Sequence, residues 1–160
     1  MPQTWREIIA SALDWEQAHA SLDAAIANLP AELRGTRPPG LAHSVWELLD
    51  HVRRTQHDLL AFCADPHYED PKWPDDYWPP SPAPASATEW DDCVAAIHAD
   101  TASFKRFTLE TDQDLTSTIP HGTGQTYLRT VLVAIDHSSH HTAQIIDARR
   151  ILGAWPPAKT

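Results

Sequence analysis

Ser44-Val45-Trp46-Glu47-Leu48-Leu49-Asp50-His51-Val52 is the stretch whose reading decides the fold class. Ser44 stands where a side-chain oxygen can accept from the backbone of the third helical residue, and Glu47 at that third position can reach back, the capping-box signature of a helix start. Behind it Val45, Leu48, Val52, Leu59 and Phe62 recur at helical spacing, so the helix is predicted to end near Ala64.

Outward from this helix the same signals recur. A first helix is predicted from Thr4 to Asn28, with Glu7 completing a capping box and Pro30 ending it. A third begins near Thr88 or Glu89 and reaches Leu109 or Glu110. A fourth opens at Gln125 or Thr126 and runs to about Leu152, where Gly153 and then Pro156-Pro157 stop it. No segment shows a convincing period of two. The expectation is an all-α four-helix bundle forming a single domain over residues 1–160.

The second and third predicted helices are separated by residues 65–87, a proline-rich stretch that carries Trp73, Tyr77 and Trp78. Prolines keep it from being helical, while the aromatic residues argue for an ordered path. A connection this long can run the length of a bundle, whereas short links suit antiparallel neighbours, so the expected course is up-down-down-up with a proline-rich crossover. The turn-rich loop from Gln113 to Gly124 has room for a short hairpin.

Charge narrows the partners. Lys and Arg total 12 against 22 Asp and Glu, a formal net charge of −10, and that field repels phosphate backbones and anionic headgroups. Nucleic acid and membrane surfaces are therefore not expected partners. Met1-Pro2-Gln3-Thr4-Trp5 lacks the basic start and apolar run of a signal peptide, and a cytoplasmic protein is expected. Cys63 and Cys93 form no CxxC pair and read as free, half-buried thiols.

The densest chemistry lies in Asp136-His137-Ser138-Ser139-His140-His141-Thr142-Ala143-Gln144, inside the fourth predicted helix. His137 and His141 are one helical turn apart on one face, where two imidazoles can meet one metal ion. At 100° per residue, Thr130, Ala134, Gln144 and Ala148 share that direction, which makes it an inward face lined by small residues. His51, at the edge of the sector of Leu48, Val52, Thr55 and Leu59, is the candidate for a third ligand. His57 faces away from Leu48 and reads as solvated, as do His19, His67 and His98; His43 and His121 are loop residues that could border a site mouth. Asp50, Asp136 and Gln144 are candidates to orient a ligand from behind.

Three segments together resemble the DinB-like, YfiT-related superfamily: His43 through His51, Trp73-Pro74-Asp75-Asp76-Tyr77-Trp78-Pro79, and Asp136 through Ile145 with Arg149-Arg150-Ile151-Leu152-Gly153-Ala154-Trp155. The resemblance covers nearly the whole chain. It implies that a late histidine of the second predicted helix and the HxxxH pair of the fourth bind a divalent metal, here His51, His137 and His141. The chain departs from the family pattern in having His140 where an aromatic residue is common and Ala143 where glycine is common. His140 could compete for the metal or carry protons beside it.

Three imidazoles leave a divalent ion partly open, and all-nitrogen ligation suits zinc or nickel, with iron next, better than magnesium or calcium. The resemblance implies a metal-dependent enzyme that activates a low-molecular-weight thiol or water against a small electrophilic substrate, of S-transferase or hydrolase type; the alternative is a non-catalytic metal-binding or stress-response protein. Trp and Tyr of the crossover are expected either to wall the site mouth or to pack the crossover down. Leu128, Leu132, Ile135 and Ile146 form a second apolar face opposite His137, expected to pack within the bundle or against a second copy as a homodimer.

Overall fold

Ser44 opens the central helix: its Oγ accepts from Glu47 N at 3.1 Å while Glu47 Oε2 accepts from Ser44 N at 2.8 Å. The computed structural model describes residues 2–157, so the outermost ends of the domain expected over 1–160 lie outside it. In chain order the helices are α1 (Trp5–Ala12), α2 (Leu22–Ile26), a short 3-10 helix (Ala31–Leu33), α3 (Val45–Ala64), α4 (Ala87–Glu110) and α5 (Tyr127–Ile151). The described chain is thus all-α. Its one β feature is an isolated antiparallel bridge between Thr118 and Thr126, the trace of a hairpin in the loop before α5.

α3 packs against both α4 and α5, and this three-helix contact forms the interior. α4 buries Trp90, Cys93, Ile97, Phe104 and Thr108, a stripe at three- and four-residue spacing that faces α3. Two apolar clusters result. One gathers Val45, Leu49 and Val52 of α3 with Ile145 and Ala148 of α5; the other gathers Cys63, Phe104, Leu115, Val131 and Ala134. Between them α3 contributes His51, Thr55 and Gln56, and α5 contributes His137, His141 and Thr142. A polar layer therefore crosses the molecule between two greasy halves.

The N-terminal region corrects the sequence reading. A single helix over Thr4–Asn28 is expected, but the helix stops at Ala12 and restarts at Leu22. Ser21 caps the restart by accepting from Ala24 N at 3.2 Å, and Glu16 Oε1 in turn accepts from Ser21 N and Oγ at 3.2 Å. The break lets the two pieces dock on different partners, α1 on α4 and α2 on α5, which one straight rod could not do. Arg6 fastens α1 by donating to the carbonyls of Thr108 at 2.7 Å and Gln113 at 2.8 Å, and Lys105 pairs with Asp14 at 2.5 Å. α2 ends beside Asn28, whose φ of 54° lies in the left-handed region that asparagine tolerates.

Arg149 secures the other end. Fully buried on α5, it donates to the carbonyls of Ala25, of Ala27 at 3.0 Å and of Ala154 at 3.1 Å, and its guanidinium lies 5.3 Å from the Trp155 ring. It thereby caps α2 and pins the segment after Gly153, whose φ of 69° turns the chain out of α5. No helix among the described residues is long and apolar enough to cross a membrane.

Ser44 also donates through Oγ to the Pro82 carbonyl at 2.5 Å, joining the start of α3 to the proline-rich segment. Replacing Ser44 with Ala removes both bonds from a fully buried cap, so the variant is expected to lose about 1–2 kcal/mol. Urea denaturation reads this as a lower midpoint at unchanged slope; an unshifted midpoint would contradict the account.

Candidate metal centre

The capping box at Ser44 sets the phase of α3, and from that start His51 falls on the face turned to α5, buried beside Val52. On α5, His137 and His141 are one turn apart on the face turned back. Their Nε2 atoms meet: His137 Nε2 is 3.1 Å from His51 Nε2 and 3.1 Å from His141 Nε2. All three nitrogens lie within 4.8 Å of one another.

The far sides of two of these rings decide what the near sides carry. His51 Nδ1 is 2.8 Å from the Tyr77 carbonyl, which can only accept, so Nδ1 carries the proton. His141 Nδ1 donates likewise to Gln144 Oε1 at 2.7 Å. In the neutral rings Nε2 of both residues is then a bare lone pair, and both point toward His137 Nε2. That atom holds at most one proton and cannot bond linearly to two acceptors.

A cation between the three nitrogens would resolve the conflict. Two nitrogens bonded to zinc at about 2.05 Å with a tetrahedral angle stand about 3.3 Å apart, close to the 3.1 Å from His137 Nε2 to each of the other two. The donor set therefore fits a divalent ion, with His51, His137 and His141 able to hold it.

Electrostatics point the same way. Burial, reinforced by the adjoining imidazoles of His141, His51 and His140, pushes His137 down to about 3. Burial also lowers His141 to about 4, against the opposing bond to Gln144, and lowers His51 against the opposing bond to Tyr77. All three rings are neutral at physiological pH, and Nε2 of His51 and of His141 presents a lone pair rather than a proton.

Around the cluster the structure separates the other candidates. Gln144 orients His141, but Asp50 does not serve the cluster: its buried carboxylate pairs with Arg53 at 2.7 Å and Arg54 at 2.6 Å. Asp136 is exposed and borders a cleft of about 540 Å³ on the opposite side of α5, where Leu132 is 49% exposed and Ile135 forms part of the wall. The second apolar face of α5 is thus only partly covered. His140 is exposed, its ring 5.0 Å from that of His141 and outside the cluster.

Among the remaining histidines, His57 pairs with Asp100 and His98 with Asp23, both exposed as expected. His19 meets Ser139 Oγ at 2.9 Å, and His121 sits near the Phe62 carbonyl at 3.0 Å. Cys63 and Cys93 are buried rather than half-buried, and burial pushes both thiols up to about 12, which leaves neither as a nucleophile.

Three contacts escape the sequence reading: the Tyr77 carbonyl on His51, and the rings of Trp78 and His43. Trp78 lies flat on His51 with centroids 3.9 Å apart and an interplanar angle of 2°, and His43 stacks on its other face at 4.0 Å. Both faces of Trp78 are occupied by imidazoles, and Trp73 is 69% exposed.

A helical protein that brings three imidazoles from two long helices to one point belongs to the class able to hold a divalent metal inside a helix pack. More particularly, the chain belongs to the DinB superfamily, whose family model matches residues 14–145. No curated protein and no solved structure matches the chain.

The depressed histidines tie stability to pH in the metal-free protein. The unfolded chain takes up protons near 6.5 while the folded cluster resists them until about 4 or below, so stability is fully present above pH 6.5 and falls as the pH drops. Between pH 7 and 5, in chelator, the unfolding free energy of the wild type is expected to decline, and the decline should be shallower in His137→Gln. Equal slopes would show that the cluster does not resist protonation.

Proposed function

We propose that the protein is a metal-dependent enzyme in which His51, His137 and His141 hold a divalent ion, zinc or nickel ahead of iron, and in which a low-molecular-weight thiol or water is activated against a small electrophilic substrate. The observation that carries this reading is that His137 Nε2 lies 3.1 Å from Nε2 of both His51 and His141, while Nδ1 of His51 and His141 is committed to carbonyl oxygens. Membership of the DinB superfamily supports it. A divalent ion with three imidazole ligands supplies Lewis acidity at an open position, lowering the pKa of a thiol or water brought there.

The chain's own residues then have defined tasks. Tyr77 and Gln144 hold two of the rings in the tautomer that leaves Nε2 free, and the apolar clusters on either side limit access of bulk water to the layer. The nucleophile comes from outside, because burial holds both cysteine thiols in the protonated form. The same reading takes the protein as a cytoplasmic single domain with an up-down-down-up course, the proline-rich segment crossing between α3 and α4. Leu132 and Ile135 on the partly covered face of α5 are where a homodimer would form.

A second reading, a metal-binding protein without turnover, draws on one observation: clefts of about 540 and 450 Å³ both lie away from the three histidines. Screening the metallated protein with several low-mass thiols and a haloaromatic electrophile separates the two. The enzyme reading expects thiol consumption that falls to background in His137→Ala while the circular dichroism spectrum stays helical. Stoichiometric metal with no turnover for any thiol or for water would favour the second reading.

A further inference from the structure

The proline-rich segment reaches the histidine cluster at two successive residues. The Tyr77 carbonyl accepts from His51 Nδ1 at 2.8 Å, and the Trp78 indole lies parallel to the same imidazole at 3.9 Å. One contact restrains the ring within its plane and the other fixes the plane itself.

The segment is itself held from several sides. Tyr77 Oη donates to Asp58 at 2.7 Å, and Arg54 donates to the Asp76 carbonyl at 3.1 Å, so α3 grips the segment one and two turns beyond His51. His43, just before the α3 cap, closes the stack on the outer face of Trp78 at 4.0 Å and 14°. Its Nδ1 is buried without a hydrogen-bond partner, so stacking rather than hydrogen bonding accounts for its position.

From this geometry we propose that Trp78, clamped between His43 and His51, is a positioning residue for the metal, aligning His51 Nε2 with those of His137 and His141 and stabilising the ligated ring. This rests on the three-histidine metal site proposed above. An imidazole bound to a dication carries part of its charge, and the indole face presents negative electrostatic potential to it. The stack therefore favours the metal-bound ring over the free one. An aliphatic side chain of similar bulk would fill the space without that preference.

Affinity measured by chelator competition on the folded protein, with zinc as the probe, tests this in the full chain. Trp78→Leu is expected to weaken zinc binding about 10- to 100-fold, the range seen when groups that orient metal ligands are lost, and Trp78→Phe should restore most of it. Zinc should also perturb the tryptophan emission of the wild type, and most of that change should vanish in Trp78→Phe. Thermal melts of the metal-free variants separate loss of folding from loss of affinity.

His51→Ala serves as the reference arm. If it binds zinc as the wild type does, the metal site itself is wrong. If it loses zinc while Trp78→Leu keeps wild-type affinity, the site stands and the clamp is overturned. Equal weakening by Leu and Phe would likewise overturn the electrostatic role of the indole.

Discussion

Three neutral imidazoles whose Nε2 atoms converge, two of them fixed as lone pairs, are the constraint around which the interior is arranged. Buried polar nitrogens without partners are costly, and here the two outer ones are fixed as acceptors by what their far sides donate to. A shared cation would relieve their opposed lone pairs. The need to hold that arrangement accounts for features that would otherwise look unrelated: a proline-rich segment of turns fastened to α3, a glutamine one turn from its histidine, and a tryptophan flattened between two imidazoles.

The packing on either side serves the same end. α3 and α5 are anchored to each other by separate apolar clusters, one toward Leu49 and Ile145 and one toward Cys63 and Val131, so the polar layer between them is braced from both directions. Bracing matters because imidazole nitrogens that must share a point tolerate little sliding between helices. Arg149 and Arg6 extend the bracing outward by sewing the short helices α2 and α1 onto α5 and α4 through backbone carbonyls. Asp50 is part of the frame as well: buried beside His51 in sequence, it binds Arg53 and Arg54 and stays out of the cluster.

Much of this was legible in the chain before any coordinates. Caps such as Ser44 with Glu47 are local chemistry, and so is the one-turn spacing of His137 and His141, which is why the long helices and two members of the cluster can be read directly. His51 required the resemblance to a family, since its direction at the edge of an apolar sector admits more than one role. The restart at Ser21 was hidden because Ala24 stands where a capping box would place Glu, leaving an apolar period that runs on through the break. Tyr77 acts through its carbonyl, which every residue possesses, so no side-chain pattern announces it. The stack of His43, Trp78 and His51 joins two separate parts of the chain, and only the folded path of the proline-rich segment brings them into register.

X-ray absorption at the metal edge of the zinc-loaded protein addresses the central claim most directly, because it counts the ligands and finds whether the shell is closed. The account predicts three imidazole nitrogens at about 2.0–2.1 Å and at least one further light-atom ligand that is replaced by sulfur at about 2.3 Å when a thiol is added. A shell with fewer than two imidazoles, or one made entirely of protein ligands and unchanged by thiol, would contradict it.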